Sequence, residues 1–338
     1  MKIVRAKKFF NFIIEDIEVP PISKDEALVK VNYCGVCGSD IHYASSYEEY
    51  VNLGHEVSGT VEKIGEDVSN VLPGDRVVIH STIWCGKCEN CGDGFPLLCA
   101  NWGGGLTTAC HGFSEYVSVQ SRYLLKIDPI SLLQASLIEP LDVALETVLT
   151  TDISFGQKVA ILGPGPIGLM MIALCKRRGA TEVILTGIEG DERRLQRGSE
   201  LGADHIVFSD KQNLLESIKS MYPKGVDATI ITASPRLIDQ AIQITKYGGI
   251  ITLLALGKRG EESVSVNVHE LHVKKQQLRG SFPNPNGYFS VCKDLLRQGI
   301  VDEKKIITHI FNGAEEVEKA FRLVHEKGDG VIKAVVKM

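Results

Sequence analysis

The chain has no long apolar run, little net charge and few cysteines for its length, and each shortage removes a class of protein. The longest uninterrupted apolar stretch, Ile167 to Cys175 with Gly168 inside it, is nine residues, whereas a hydrocarbon core needs about 20. Met1-Lys2-Ile3-Val4-Arg5 carries basic residues but no apolar core of the length a secretory leader uses. A cytoplasmic protein with no membrane partner is expected. Lys and Arg number 37 against 42 Asp and Glu, a net charge of -5, which is not the balance of a nucleic-acid binder. Nine cysteines in 338 residues are too sparse for a disulfide scaffold. Disorder is excluded too, because 44% apolar and 23% charged residues are an ordinary globular mixture. At roughly 100–200 residues per domain, the length implies about two domains.

The texture changes along the chain. Up to about residue 145 it reads as strands, with β-branched runs at Ala27–Val31, Gly59–Ile64, Asp75–Ile79 and Tyr116–Val119 and a turn at Pro73-Gly74-Asp75. Between about 150 and 285 strands and helices alternate. Strands are expected at Lys158–Leu162, Glu182–Thr186, His205–Phe208, Ala228–Thr232 and Ile250–Ala255. Helices are expected at Pro166–Arg178, Asp191–Leu201, Asn213–Met221 and Arg236–Lys246. That alternation predicts βαβ units and a parallel sheet. A helix, a short strand at Ile306–Ile310 and an amphipathic helix from Glu315 should follow.

Four of the nine cysteines fall within fifteen residues, as Cys85, Cys88, Cys91 and Cys99. Two-residue spacers let neighbouring thiolates reach one tetrahedral zinc ion, and a site of four cysteines is closed to substrate, hence structural. The alternative, four reduced thiols in a loop, gives them little burial to justify them. A second run, Cys34-Gly-Val-Cys37-Gly-Ser-Asp-Ile-His42, is followed by Gly54-His55-Glu56. A redox pair would want a thioredoxin-like βαβ frame, which is missing here. Cys37, His55 and a carboxylate would instead make a zinc site with an open position. Third, Gly163-Pro-Gly165-Pro166-Ile167-Gly168 lies between an expected strand and an expected helix. In that setting the glycines serve a tight turn, close approach of a diphosphate and helix packing, and the helix N-terminus offers N–H groups to phosphate.

Taken in this order, the motifs resemble the zinc-dependent medium-chain dehydrogenases, specifically their sorbitol (polyol) and threonine dehydrogenase branch. The matching pieces are Cys34–His42, Gly54–Glu56, Pro73–Val77, the four-cysteine lobe, Ile138–Ala144 and Gly163–Gly168. The resemblance implies an α/β protein: a GroES-like β-rich catalytic domain (1–148 and 288–338, with the lobe at 85–99) and a Rossmann doubly wound domain (149–287). It also implies two zinc ions per chain, an NAD(P) cofactor, a small-molecule alcohol substrate and a homo-oligomer, dimer or tetramer. By position, Cys37 and His55 match zinc ligands, Glu139 a third ligand, and Glu56 a carboxylate that exchanges with it. Ser39 and His42 match a relay for the alcohol proton, and Asp40 a group that orients a ligand.

Two departures bear on specificity. The strand end Thr186-Gly187-Ile188-Glu189 has Gly where an NAD-type Asp is expected. Glu189 or Asp191 would then take the ribose hydroxyls, or Arg193 or Arg194 a 2′-phosphate, and the flanking acids favour NAD. Gly280–Gly287 lacks the Arg-Tyr pair that contacts polyols in animal sorbitol dehydrogenases, so the substrate stays open, with Trp102 and His111 as candidate pocket residues. A zinc-free quinone reductase of the same fold would lack the ligands. A zinc ribbon that binds nucleic acid would need a basic lobe, yet Lys87 is outnumbered there by Glu89 and Asp93. A scaffold protein that had lost catalysis would not be expected to keep the whole ligand set.

Overall fold

The computed structural model describes residues 1–82, 84–101, 112–255, 263–282 and 287–338. The chain forms two compact units, Met1–Asp142 with Asn284–Met338, and Val143–Pro283. No helix among the described residues is long and apolar enough to cross a membrane.

The first unit is built on a seven-stranded sheet. Its order is Ile307–Asn312, Lys333–Lys337, Glu26–Gly35, Glu56–Ile64, Arg76–Ile79 and Leu124–Lys126, with Tyr116–Gln120 also paired to Glu26–Gly35. These segments are rich in valine and isoleucine, which fit a pleated surface. Val29, Val31, Val57, Val61, Val77, Ile79, Val117 and Val119 form one buried cluster with Phe113 and Phe321. A smaller sheet joins Lys2–Lys7 to Asn11–Asp16 and Val51–Asn52.

The second unit carries six parallel strands in the order His205–Phe208, Glu182–Gly187, Lys158–Leu162, Val226–Ile231, Thr245–Leu253 and Gln277–Gly280. Numbered along the chain this is 3-2-1-4-5-6, the doubly wound order, whose direction reverses beside the first strand. Val159, Ala160, Ile161 and Leu162 are fully buried, as expected for a central strand covered on both faces. The helix that follows, Pro166–Arg178, has Pro in its first turn and Lys176, Arg177 and Arg178 in its last. Proline lacks the N–H that would go unused there, and the three cations complement the terminal carbonyls. Gly179 ends it at φ 106, a left-handed cap that favours glycine.

Boundaries differ from expectation in instructive places. The helix expected over Arg236–Lys246 is a short 3-10 turn at Pro235–Leu237 followed by Ile238–Ile244, and the next strand starts at Thr245. The last helix is Val317–Glu326. Two strands lacked a clear sequence signal: the exposed edge Gln277–Gly280 and the C-terminal Lys333–Lys337.

Candidate metal and dinucleotide sites

Cys37 precedes the helix Gly38–Ser46 in an extended conformation, and His55 and Glu56 open the strand side of a loop some eighteen residues later in the same unit. Asp40, fully buried, ties the two segments together. Its Oδ2 accepts from the Cys37 amide at 3.0 Å, its Oδ1 from the Gly54 amide at 3.0 Å, and the same Oδ1 lies 3.4 Å from His55 Nδ1. Burial by itself would raise the Asp40 pKa, but the His55 ring and the two amides hold it below the usual value. Asp40 is therefore a buried carboxylate in contact with the imidazole and with the amides of both segments.

The ligand atoms of Cys37, His55 and Glu56 all lie within 4.8 Å of one another. One thiol, one imidazole and one carboxylate are three zinc donors, and tetrahedral zinc would keep a fourth position open. Glu56 Oε2 is buried with no hydrogen-bond partner, so that oxygen keeps lone pairs that a metal ion could take up. The donor set fits a zinc ion. Glu56 Oε1 accepts from Lys333 Nζ, which also donates to the Val36 carbonyl at 3.0 Å. Burial opposes the charge on Lys333, but Glu56, Cys37 and Glu139 raise its pKa.

Glu139, in the first turn of the helix Ile138–Thr151, lies outside the Cys37–His55–Glu56 set. Its Oε1 accepts from Ser81 Oγ at 3.1 Å. Burial, with Glu56 adding to it, lifts its pKa to about 7, against the opposing pull of His55 and Lys333. It is a near neighbour held on a serine, while Glu56 is the carboxylate grouped with the thiol and the imidazole. Ser39 and His42 both lie on the helix Gly38–Ser46, three residues apart and so on adjoining parts of one face. Tyr43 went unnoticed in the sequence. Burial raises its phenol, which also feels His55, Asp40 and Cys37; its spacing of three from Asp40 on a helix was the available signal. Lys333 had none: it is one lysine among many.

The second cluster is local. Cys85, Cys88, Cys91 and Cys99 have sulfurs within 4.8 Å of one another. The Sγ pairs Cys88–Cys91, Cys85–Cys99 and Cys88–Cys99 are 3.5, 3.6 and 3.9 Å apart. A tetrahedron with zinc–sulfur bonds of about 2.3 Å has edges of about 3.8 Å, so the cage fits that ion. Amides of Lys87 and Cys88 point at Cys85 Sγ at 3.4 and 3.3 Å and bring its pKa down to about 6. Tyr123 donates its hydroxyl to the Trp84 carbonyl at 2.7 Å, anchoring the entrance to the lobe.

In the second unit the glycine turn has the geometry its spacing implies. Gly163 has φ 129, and a Cβ there would press on Thr232 and Ala233; a Cβ on Gly168 would run into the Gly163 carbonyl. A Cβ on Gly165 would meet nothing within 4 Å, so that face of the turn is open to a ligand. Pro166 and Ile167 start the helix behind it. At the neighbouring strand end, Glu189 is exposed, paired with Lys211 at 3.2 Å, and gives its amide to Asp210 at 2.8 Å. Asp191 is buried, and its Oδ2 accepts weakly from the Ile188 amide at 3.3 Å. Arg194 is half-buried near Asp191, and burial lowers its pKa. Trp102, Cys110, His111 and residues 283–286 lie outside the described residues.

Residues 23–129 match the family model of the alcohol dehydrogenase GroES-like domain, and residues 166–297 that of the zinc-binding dehydrogenase. The chain is 32% identical over 327 residues to sorbitol dehydrogenase of Bacillus subtilis, covering 93% of this chain and 91% of the relative. It is 32% identical over 331 residues to L-threonine 3-dehydrogenase of Bacillus licheniformis, covering 92% of each. The crystal structure of 2R,3R-butanediol dehydrogenase from Bacillus subtilis superposes with a TM-score of 0.89 at 29% identity, over 100% of this chain and 99% of the other.

Proposed function

The chain belongs to the zinc-type medium-chain dehydrogenase family and is an NAD(P)-dependent dehydrogenase of polyols or other secondary alcohols, and we propose that Cys37, His55 and Glu56 form its catalytic metal centre. The observation that carries this assignment is the buried Glu56 Oε2, unpartnered and grouped with a thiol and an imidazole. Zinc held there supplies Lewis acidity, which makes an alcohol hydroxyl acidic near neutral pH. Asp40 keeps the His55 ring turned to its task through Nδ1. Ser39 and His42, one helical turn apart, are the route by which the hydroxyl proton leaves. A second zinc ion, held by Cys85, Cys88, Cys91 and Cys99, shapes the lobe.

The Gly163–Gly168 turn and the first amides of its helix take the cofactor diphosphate. NAD is favoured over NADP. Glu189 and Asp191 put two carboxylates at the end of the strand Glu182–Gly187, and Lys211 is already paired with Glu189. A 2′-phosphate would meet that negative charge. The substrate is a polyol or sugar-alcohol-like secondary alcohol, a reading supported by the similarity to sorbitol and butanediol dehydrogenases.

The test is a panel of polyols, diols, sugar phosphates and threonine, each run with NAD and NADP. A polyol or diol with NAD should give the highest kcat/KM. Threonine as the best substrate would replace the substrate class, and a tenfold preference for NADP would overturn the cofactor choice.

A further inference from the structure

The helix that carries Ser39 and His42 is fastened at its two ends by different parts of the chain. Its start is tied by its own residues, since the Cys37 amide donates to Asp40 Oδ2 and the Ile41 amide to the Cys37 carbonyl. At its far end the Tyr47 amide donates to the Tyr43 carbonyl, and the chain then turns extended at Tyr47 with no glycine to close the helix. Carbonyls past Tyr43 have no donor inside the helix. Three donors come from the turn between the strands Lys2–Lys7 and Asn11–Asp16. The Lys8 amide donates to the Tyr47 carbonyl at 2.6 Å, that of Phe9 to Ser45 at 3.4 Å and that of Phe10 to Ala44 at 3.0 Å. Phe9 and Phe10 have φ 64 and 54, a region that strains any residue with a side chain. Extended backbone would point successive N–H groups to opposite sides, whereas such a turn brings them to one side. Phe10 anchors the turn: its ring lies against His325, centroids 4.6 Å apart, and its carbonyl accepts from Arg322 Nη2 at 3.4 Å. Phe9 is 79% exposed, so burial of its ring offsets little of the strain.

We infer that Phe9 and Phe10 are positioning residues whose turn, through its convergent amides, fixes the far end of the helix Gly38–Ser46 and with it the proton route through Ser39 and His42. This rests on that route as proposed above. The physical reason is the short reach of a proton. Transfer needs donor and acceptor within about 2.6–3.2 Å, and a helix of nine residues is too short to hold its own shape in water. Cys37 and Asp40 secure only its first turn. His42 lies in the second half, one residue before Tyr43, where the helix's own bonds run out. The strand behind the turn holds the same segment once more on its way to His55, pairing Ala6 with Val51 and Arg5 with Asn52.

The experiment uses the full-length, metal-loaded chain and the best alcohol of the panel above. Phe9→Pro removes one of the three amides and cannot take a positive φ, whereas Phe9→Gly keeps the amide and takes that φ freely. Phe9→Val keeps the amide but resists the φ, and it supplies the reading if Phe9→Pro does not fold. Phe9→Pro should lower kcat about tenfold, with KM and metal content close to wild type. Amide hydrogen exchange over residues 38–47 should quicken by a similar factor, and Phe9→Val should show both effects to a lesser degree. Added 2,6-dimethylpyridine, a base too hindered to bind the metal, should restore most of the lost turnover by taking the proton directly. Phe9→Gly should match wild type in both readings. Wild-type turnover in both Phe9→Pro and Phe9→Val overturns the inference, as does a loss that follows metal release and that the base does not restore; the turn then only supports the fold. His42→Ala tests the route separately. A loss restored by the same base upholds it, while wild-type turnover, or a loss the base leaves unchanged, removes the route and the inference with it.

Discussion

The two candidate metal clusters of this chain are assembled in opposite ways. The lobe takes its four sulfurs from fifteen consecutive residues, Cys85 to Cys99, and its amides close back on its own thiols. The other cluster draws Cys37, His55 and Glu56 from two segments, and its counter-charge from Lys333, 277 residues beyond Glu56. Self-contained ligation suits an ion that holds a loop together. Ligation shared among a helix start and sheet strands suits one that must meet a substrate, because the sheet fixes the donors while one coordination position stays free.

The largest effect should come from the dispersed cluster. Cys37→Ser is expected to lower turnover about a thousandfold, the size of a several-kcal/mol loss of Lewis-acid assistance. The melting temperature and NADH binding should stay close to wild type, since the glycine turn belongs to the other unit. Steady-state kinetics beside a fluorescence titration check this; activity within tenfold of wild type in metal-replete protein would take Cys37 out of the reaction.

Next in size is Asp40→Asn. The amide keeps a hydrogen bond to one segment but gives up the charge that orients His55, so metal affinity at that centre should drop about 10- to 100-fold. Competition against a graded series of chelators measures it. The lobe's ion should be unaffected, and equal loss from both sites would mean that the clusters are not independent.

Cys91→Ser should reverse the pattern. Loss of a structural ion is a folding effect, and an unfolding free energy lower by at least about 2 kcal/mol is expected, with turnover per folded molecule within a few-fold of wild type. Denaturant melts paired with active-site titration separate the two. A stability unchanged from wild type would make the lobe dispensable.

The smallest effect lies away from both clusters. The Tyr222 hydroxyl, and after it His205, hold the Glu182 carboxyl below its ordinary pKa of 4.5. A depressed pKa stabilises the fold above the unfolded value and is lost as pH falls toward the folded one. Glu182 is about one-third exposed, so the contribution is small. Glu182→Gln should melt slightly below wild type at pH 7 and converge with it as the pH falls below the ordinary value of 4.5 and through the lowered folded one. Parallel melting curves across that range would remove the ionic contribution.

Much of this was legible beforehand because it is written at short range. The helix Pro166–Arg178 matches its expectation residue for residue, since a proline start, a cationic last turn and a following Gly179 are local instructions. The strand Lys158–Leu162 is equally clear, being a continuous β-branched and apolar run. The helix near Arg236 came out shorter because Thr245 already joins the parallel sheet through Val226, a pairing with no local trace. Gln277–Gly280 is a strand for the same reason, pairing with Ile250–Leu253 despite its exposed, patternless sequence.

By itself, then, the sequence determined the close grouping of the four lobe thiols and the glycine turn between strand and helix, because spacers of a few residues dictate which groups can reach a common point, whereas Cys37 and His55, eighteen residues apart, meet through the fold. Which carboxylate lies grouped with that thiol and imidazole was a tertiary decision. Glu139 and Glu56 are both buried acids beside the same histidine, and nothing in their local sequence ranks them. The register of the sheet does: it lays Glu56 across Gly35 onto Lys333 and leaves Glu139 with Ser81. Charge in a buried site depends on which groups surround it in space, and strands that meet only after the chain has folded bring those groups together.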